Sequence, residues 1–321
     1  MSDSPDSLRL EEITVAFQGA TGIRKVLTGV SVALRPGDWV AVVGRNGSGK
    51  STLARVAAGL LPVSSGRIRR STTEERRIGV VLQNPDAQLI GTTVWEDVCF
   101  GMETAGIESE RMPETGAWAL AMTGLAGLEE RAVDSLSGGQ KQLLAFAGAL
   151  AAGAGLFVFD EATAMLDPLS AERVLAAAEE QKRRGSAVLW VTQRLEELAF
   201  ADRVLALDEG RTVYEGTAAG FFYGEEAGLV SSLSEAAVME QETGDERPAG
   251  SIAGMTTGPH SPDNRTPCER LGFPPPYVVR TAQELLARGV PLGVLPLTTE
   301  ELADALPALG DPGGEGGISW I

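Results

Sequence analysis

An α/β fold built on a largely parallel sheet is predicted by two apolar runs and by the residues at the end of each. Residues 39–43 form a short apolar strand that leads into a glycine-rich loop, Gly44-Arg45-Asn46-Gly47-Ser48-Gly49, and then into residues of helical character. Leu156–Asp160 is an uninterrupted apolar run ending in two adjacent carboxylates, as expected of a strand buried on both faces. Around these runs, strand-like and helical stretches alternate, which is the pattern of parallel strands joined by crossover helices.

In order along the chain, residues 11–17 read as a strand, and Phe17 sits just before a Gly/Thr-rich loop at 19–22. Residues 26–34 give a second strand, and Arg35-Pro36-Gly37-Asp38 turns the chain into the strand at 39–43. A helix at 52–61 stops at Pro62; strands at 64–70 and 78–83 flank a charged turn. From about 94 to 134, helical segments broken by Gly and Pro indicate an inserted helical subdomain. Residues 135–152 open with a turn and continue as an Ala/Leu-rich helix, and a further helix spans 171–184. A buried strand at 187–192 and a hairpin, 204–208 with 212–214, complete a domain read as residues 1–228.

The character then changes. Residues 229–268 are rich in Ser, Glu, Gly, Thr and Pro, the composition of a flexible acidic linker. Val278, Val279, Ala282, Leu285 and Leu286 recur at helical spacing within 274–289, and Thr298 with Glu301 forms a capping box ahead of Leu302 and Leu306. This extension, 269–309, is too small to hold a core alone and needs a surface to pack on. Residues 310–321 read as a loose tail.

The chain has 321 residues and a net charge of −17, with a pI near 4.6. No run approaches the roughly 20 apolar residues of a membrane span, and the first residues, MSDSPDSLRLEE, do not read as a signal peptide. Cys99 and Cys268 lie far apart, so no disulfide framework is expected and a reducing compartment is the default. The acidity argues against a nucleic-acid surface, which needs clustered Lys and Arg. It suits a partner with basic loops, such as the cytoplasmic side of a membrane protein, or simply solubility.

Chemistry concentrates at two loops and one strand end. Gly44 and Gly49-Lys50-Ser51-Thr52 give the spacing G-x-x-x-x-G-K-[ST]. Glycines let successive backbone N–H groups converge on phosphate oxygens, and the helix start directs its dipole at the same anion. Lys50 supplies a charge for the β/γ-phosphates and Ser51 a hydroxyl for Mg²⁺. These residues point to a nucleotide-phosphate site. Ser137-Gly138-Gly139-Gln140 is a second anion-suited helix start, and Asp160-Glu161 ends the buried run at 156–160. Adjacent buried acids are costly unless a cation or partner compensates them.

The order of these motifs resembles the ATP-binding cassette (ABC) ATPases over about residues 8–216. The resemblance implies an ABC-type P-loop NTPase fold with a mixed sheet, ATP and Mg²⁺ as ligands, and a head-to-tail dimer. In such a dimer each nucleotide lies between the phosphate loop of one subunit and Ser137–Gln140 of the other. By the same resemblance Phe17 stacks on adenine, residues 44–52 hold the phosphates, and Ser51, Gln83 and Asp160 serve the metal. Glu161 polarises the attacking water, and Asp167 communicates across the dimer. Two positions depart from the family. Gln193 stands where a histidine is usual, while the single histidine, His260, lies in the linker. Leu143 stands where arginine is common. A glutamine can hydrogen-bond the γ-phosphate or water but carries no proton, so turnover rather than binding is the property at stake.

A narrower resemblance rests on Gln83-Asn84-Pro85-Asp86 with Gln88, on Glu96-Asp97-Val98, and on the stretch from Asp160 to Pro168. These are similar to the energy-coupling-factor (ECF) ATPases, which drive uptake of vitamins or of cobalt and nickel ions. Gly272-Phe273-Pro274-Pro275 and Leu297–Leu302 are similar to the C-terminal extension of that family, which holds two ATPase subunits together. The implied protein is a peripheral ATPase on the cytoplasmic face of the cell membrane. It pairs with a second copy or a similar ABC ATPase and works with a transmembrane coupling subunit and a small substrate-binding membrane subunit, with 83–101 as the docking surface and no nucleic acid involved. Two other readings stand beside it: an ATP-gated structural subunit with weak hydrolysis, and a soluble non-transport ABC ATPase.

Overall fold

The computed structural model describes residues 6–19, 22–70, 77–224 and 265–306. They fall into two compact units that divide between Glu215 and Gly216. The first contains two sheets. Strands β1 (Leu8–Gly19), β2 (Gly22–Leu34) and β4 (Ser65–Arg70) form an antiparallel sheet in the order β2-β1-β4. Strands β3 (Trp39–Gly44), β5 (Ile78–Val81), β6 (Leu156–Asp160), β7 (Ala187–Val191), β8 (Arg203–Asp208) and β9 (Arg211–Gly216) form a six-stranded sheet in the order β5-β6-β7-β3-β8-β9. Its first five strands are parallel to one another.

The continuous apolar runs are explained by burial on both faces. Along β6, Leu156 and Val158 join one core while Phe157 and Phe159 join another, and β7 divides its residues in the same alternating way. The first core also takes the antiparallel sheet and helix α1 (Lys50–Ala57). The second takes residues of α2 (Val94–Thr104), α3 (Met112–Thr123), α4 (Gly138–Ala151) and α5 (Pro168–Arg183). Phe159 lies 4.7 Å from Trp190 and 5.0 Å from Phe146, centroid to centroid. Truncating such a buried ring costs about 3–5 kcal/mol. Leu143, the departure from the family pattern, is buried in this second core.

Several predicted bounds move for local reasons. The strand predicted at 78–83 ends at Val81, because the Gln88 side chain accepts from Leu82 N (2.7 Å) and donates to Val80 O (2.9 Å), replacing the ladder. The helix predicted at 52–61 starts at Lys50 and is over by Ala57. The helical subdomain is present as α2 and α3, the first opened by a capping box between Thr93 and Glu96. Cys99 and Cys268 are both free thiols.

The second unit begins earlier than the predicted boundary at 228. It includes α6 (Ala218–Tyr223), whose Tyr223 hydroxyl donates to Pro296 O (2.6 Å) and whose Phe222 carbonyl accepts from Gln283 Nε2 (2.9 Å). Tyr223 packs with Ala282, Leu285, Leu292, Leu302 and Ala305, so the extension has a small core that draws on α6. The described residues restart at 265, before the predicted linker end at 268. Thr266 and Glu269 form a capping box on α7 (Pro267–Arg270), a T-P-x-E signal readable in the sequence, and Cys268 is buried there. Helices α8 (Tyr277–Ala287) and α9 (Thr299–Ala305) match the predicted helical segments, with the Thr298–Glu301 capping box present. Most of the predicted linker, His260 and the predicted tail lie outside the described residues.

Candidate functional site

Strand β3 ends at Gly44, and the chain crosses a tight loop into α1. A Cβ on Gly44 would stand 2.3 Å from Leu207 O and 2.5 Å from Ser48 Oγ, so only glycine fits against β8. Gly49 is the N-cap of α1 at φ 104°, and a Cβ there would meet Leu27 Cδ2 at 2.6 Å and Val26 O at 2.9 Å. The turn between β8 and β9 buttresses the loop, Gly210 N–H donating to Ser48 O (3.1 Å). Helix α1 has no side-chain cap, which leaves its first N–H groups facing the loop without that partner. Inside it, the Ser48 hydroxyl is buried with no hydrogen-bond partner among the described residues. A buried orphan hydroxyl beside an uncapped helix start has the donors an anion needs.

Lys50 is buried, and its ammonium donates to Gly44 O (2.8 Å) and Arg45 O (3.2 Å). Burial lowers its pKa, opposed by the nearby charges of Glu161 and Asp160. Ser51 Oγ donates to Asp160 Oδ1 at 2.9 Å. Asp160 is 1 % exposed; its pKa is raised, first by burial, while the Ser51 hydrogen bond acts against the rise.

Glu161, the next residue, has a left-handed backbone, φ 54°, which costs about 1–3 kcal/mol in a non-glycine residue. Its N–H donates to Val191 O at 2.9 Å, tying it to the end of β7. Its carboxylate receives two amides: Gln83 Nε2 on Oε2 at 3.1 Å, and Gln193 Nε2 on Oε1. Lys50, Ser51, Gln83, Asp160, Glu161 and Gln193, predicted from separate stretches of sequence, therefore converge at the C-terminal ends of β3, β6 and β7. Gln193 does not replace a histidine with nothing: its amide engages the carboxylate predicted to activate water.

Phe17 is 44 % exposed, so it is not a core residue. Val15 pairs with Leu27, whose side chain a Cβ on Gly49 would meet, and Phe17 stands two positions further along the same strand. An exposed ring can stack on a planar base. Among the described residues no group of three or more His, Cys, Asp or Glu could hold a metal. Magnesium binds through one or two protein oxygens together with substrate phosphates, and the Ser51–Asp160 pair has that donor chemistry.

Ser137–Gln140 form a separate group. Ser137 caps α4 in a reciprocal capping box with Gln140 (3.2 and 3.0 Å). A Cβ on Gly138 would meet nothing within 4 Å, whereas one on Gly139 would lie 3.3 Å from Leu166 Cδ2. Asp167 caps α5, accepting from Ser170 N (3.0 Å) and Ser170 Oγ (2.6 Å), bonds that lower its pKa. Three contacts were not anticipated from sequence. Gln142 Nε2 donates to Leu82 O (2.9 Å), Lys141 pairs with Asp86 (2.7 Å), and Glu197 gathers a buried hydrogen-bond network. The first two tie the start of α4 to the segment carrying Gln83. Their sequence signal was polar side chains directly after Ser137–Gln140, on a helix otherwise apolar.

Comparison with known proteins gives the family. The ABC transporter family model matches residues 27–164. The chain is 43% identical over 203 residues to the energy-coupling factor transporter ATP-binding protein EcfA1 of Bacillus subtilis, covering 60% of this chain and 72% of that one. It is 37% identical over 299 residues to the protein of the same name from Symbiobacterium thermophilum, covering 90% of both. Among solved structures it is similar to cbiO1 of Clostridium perfringens, described as part of the ABC transporter complex cbiONQ. That likeness has a TM-score of 0.59 and 28% identity, covering 74% of this chain and 99% of that one.

Proposed function

The chain belongs to the energy-coupling-factor ATP-binding proteins of the ABC transporter family, and we propose that it binds and hydrolyses ATP to drive an importer through a transmembrane coupling subunit. The observation that carries this is the convergence of Ser51, Asp160, Glu161, Gln83 and Gln193 beside a buried lysine and an uncapped helix start. Phe17 stacks on the adenine, and residues 44–52 wrap the phosphates. Lys50 exchanges its loop carbonyls for the β/γ-phosphate oxygens. Ser51, Asp160 and Gln83 would hold a magnesium ion, which would supply charge neutralisation on the phosphates.

Glu161 accepts a proton from the water that attacks the γ-phosphate, and the products are ADP and phosphate. Gln83 and Gln193 hold its carboxylate in place. Ser137–Gln140 complete the site of a second subunit, which is either another copy or a similar ABC ATPase. Asp167 carries the signal between the two. The C-terminal extension, with α6, holds the pair together.

A cavity of about 470 Å³ lies between β5, α2 and α4, lined among others by Val80, Gln88, Asp97, Phe100 and Gly148. It overlaps the segment 83–101 at Gln88, Leu89, Asp97, Phe100 and Gly101, and it supports docking of the coupling subunit there. Among the described residues no helix is long and apolar enough to cross a membrane; the position proposed is peripheral, on the cytoplasmic face of the coupling subunit's membrane. The imported substrate is a vitamin or a transition-metal ion, selected by a separate small membrane subunit.

The test is affinity purification of the tagged chain from detergent-solubilised membranes of its native host. Two integral membrane proteins in stoichiometric amounts, with ATPase activity, are the expected result. Recovery with nucleic acid or ribosomes, and without membrane proteins, would overturn the transport role.

A further inference from the structure

We propose that Glu197 is a positioning residue for hydrolysis, fixing the Glu161 carboxylate against the Gln193 amide by tying together the two loops that carry them. The proposal rests on the reading of Glu161 and Gln193 as the pair that orients the attacking water.

Glu197 lies in the 3₁₀ turn Leu195–Phe200 and is 3 % exposed. A buried carboxylate is costly unless donors surround it, and here they come from three segments. Thr163 Oγ1 donates to Oε1 at 2.5 Å. Trp190 Nε1 and Thr192 Oγ1 donate to Oε2 at 2.8 and 2.6 Å. Arg194 Nε stands 3.6 Å from Oε1. Thr163 is two residues beyond Glu161, and Thr192 immediately precedes Gln193. One carboxylate thus bonds the loop after β6, the strand β7 and the loop after β7.

The tether is directional. Arg194 N donates to Thr192 Oγ1 at 2.9 Å, so that hydroxyl accepts from one side and gives its proton to Glu197. On the opposite side of the gap, Glu161 N–H is fixed to Val191 O. The left-handed backbone at Glu161 is thereby restrained before and after the residue, and the Glu161–Gln193 contact closes the ring. A side chain that accepts at both oxygens suits this set of donors. Glutamine keeps the shape but replaces an acceptor with an NH₂ group: facing Trp190 it loses the indole arm, and facing Thr163 it reverses that hydrogen bond and sets a donor against the Arg194 guanidinium. A purely structural role in seating Trp190 would weaken the fold without selectively slowing turnover.

The experiment measures kcat, KM for ATP, nucleotide affinity and melting temperature on the full chain. The variants are Glu197→Gln, Thr192→Val, Gln193→Ala and the double variant Glu197→Gln/Gln193→Ala. Glu197→Gln is expected to lower kcat about 10- to 100-fold, the scale for loss of a well-placed transition-state group, with KM and affinity within about twofold. Adding Gln193→Ala to it is expected to cost little more, because residues acting as a unit are not additive. Thr192→Val keeps the carboxylate and reads the same coupling should Glu197→Gln fail to fold. A lowered melting temperature with kcat retained overturns the proposal, as do fully multiplicative effects of Glu197→Gln and Gln193→Ala. Glu161→Gln is measured alongside. Parental turnover there removes the base assignment and this proposal together, whereas its loss beside an unchanged Glu197→Gln removes the positioning role alone.

Discussion

Two helices in this chain begin at glycine-rich, anion-suited turns, and they begin differently. Helix α1 starts at Gly49 with a left-handed backbone, no side-chain cap and a buried orphan hydroxyl one residue earlier. Helix α4 starts at Ser137, which satisfies its own first turn through a capping box with Gln140. The first start is unfinished without a ligand, while the second is self-sufficient and open to approach at Gly138. The difference suits the proposed division of a site between subunits, with one half for the phosphates and the other a stable surface for a neighbour.

That contrast breaks most sharply at Lys50. Lys50→Ala removes the charge beside the phosphates, and ATP affinity is expected to fall about 100-fold, the scale of a charge-assisted contact; isothermal titration with Mg·ATP measures it. Ser137→Ala is expected to leave the affinity of the isolated chain within about twofold while preventing ATP-driven pairing. A comparable affinity loss from both substitutions would erase the distinction between the two starts.

The catalytic side of the α1 half is sharpened by Gln193. Gln193→Ala, which frees one arm of Glu161, is expected to lower kcat about 10- to 100-fold. Gln193→His, restoring the family's usual residue, is expected to raise it. Steady-state phosphate release reads both. Unchanged rates would mean that the amide seen on Glu161 has no part in turnover.

A smaller effect concerns acid. Because burial raises the Asp160 pKa above that of an ordinary aspartate, the folded state holds a proton there over a range where the unfolded chain has lost it. The burial cost therefore weighs on the fold at neutral pH and is relieved on acidification. Metal binding needs the ionised form, so Mg·ATP affinity is expected to weaken on acidification at a pH above the ordinary aspartate range. Titrations at stepped pH check this, and Asp160→Asn should flatten the profile.

The smallest effects are on stability. Gly49→Ala forces a Cβ into Leu27 and into a left-handed backbone, expected to cost about 2 kcal/mol. Ser137→Ala removes a cap, expected to cost about 1 kcal/mol. Denaturant unfolding ranks the two.

Much of this was legible in the chain because it is encoded locally. The phosphate loop is a spacing of glycines, a lysine and a serine. The doubly buried strands are uninterrupted apolar runs, and the capping box at Thr298 is a four-residue signal. What escaped depends on contacts between distant segments. Glu197 reads as one more charge in Leu-Glu-Glu-Leu, and nothing local reveals that Thr163, Trp190 and Thr192 converge on it. The early end of β5 comes from Gln88 folding back on the strand. The membership of α6 in the second unit comes from Tyr223 and Phe222, whose partners lie some sixty to seventy residues onward. That Phe17 lies outside the core was given by its exposure, which its type and place in a strand could not give.

The most direct test of the assignment of Glu161 is the Glu161→Gln variant of the full chain, measured for ATP turnover and for sedimentation with and without Mg·ATP. Turnover reduced about 1,000-fold, with ATP still bound and a dimer accumulating only when ATP is present, is the expected result. Hydrolysis at the parental rate would contradict it.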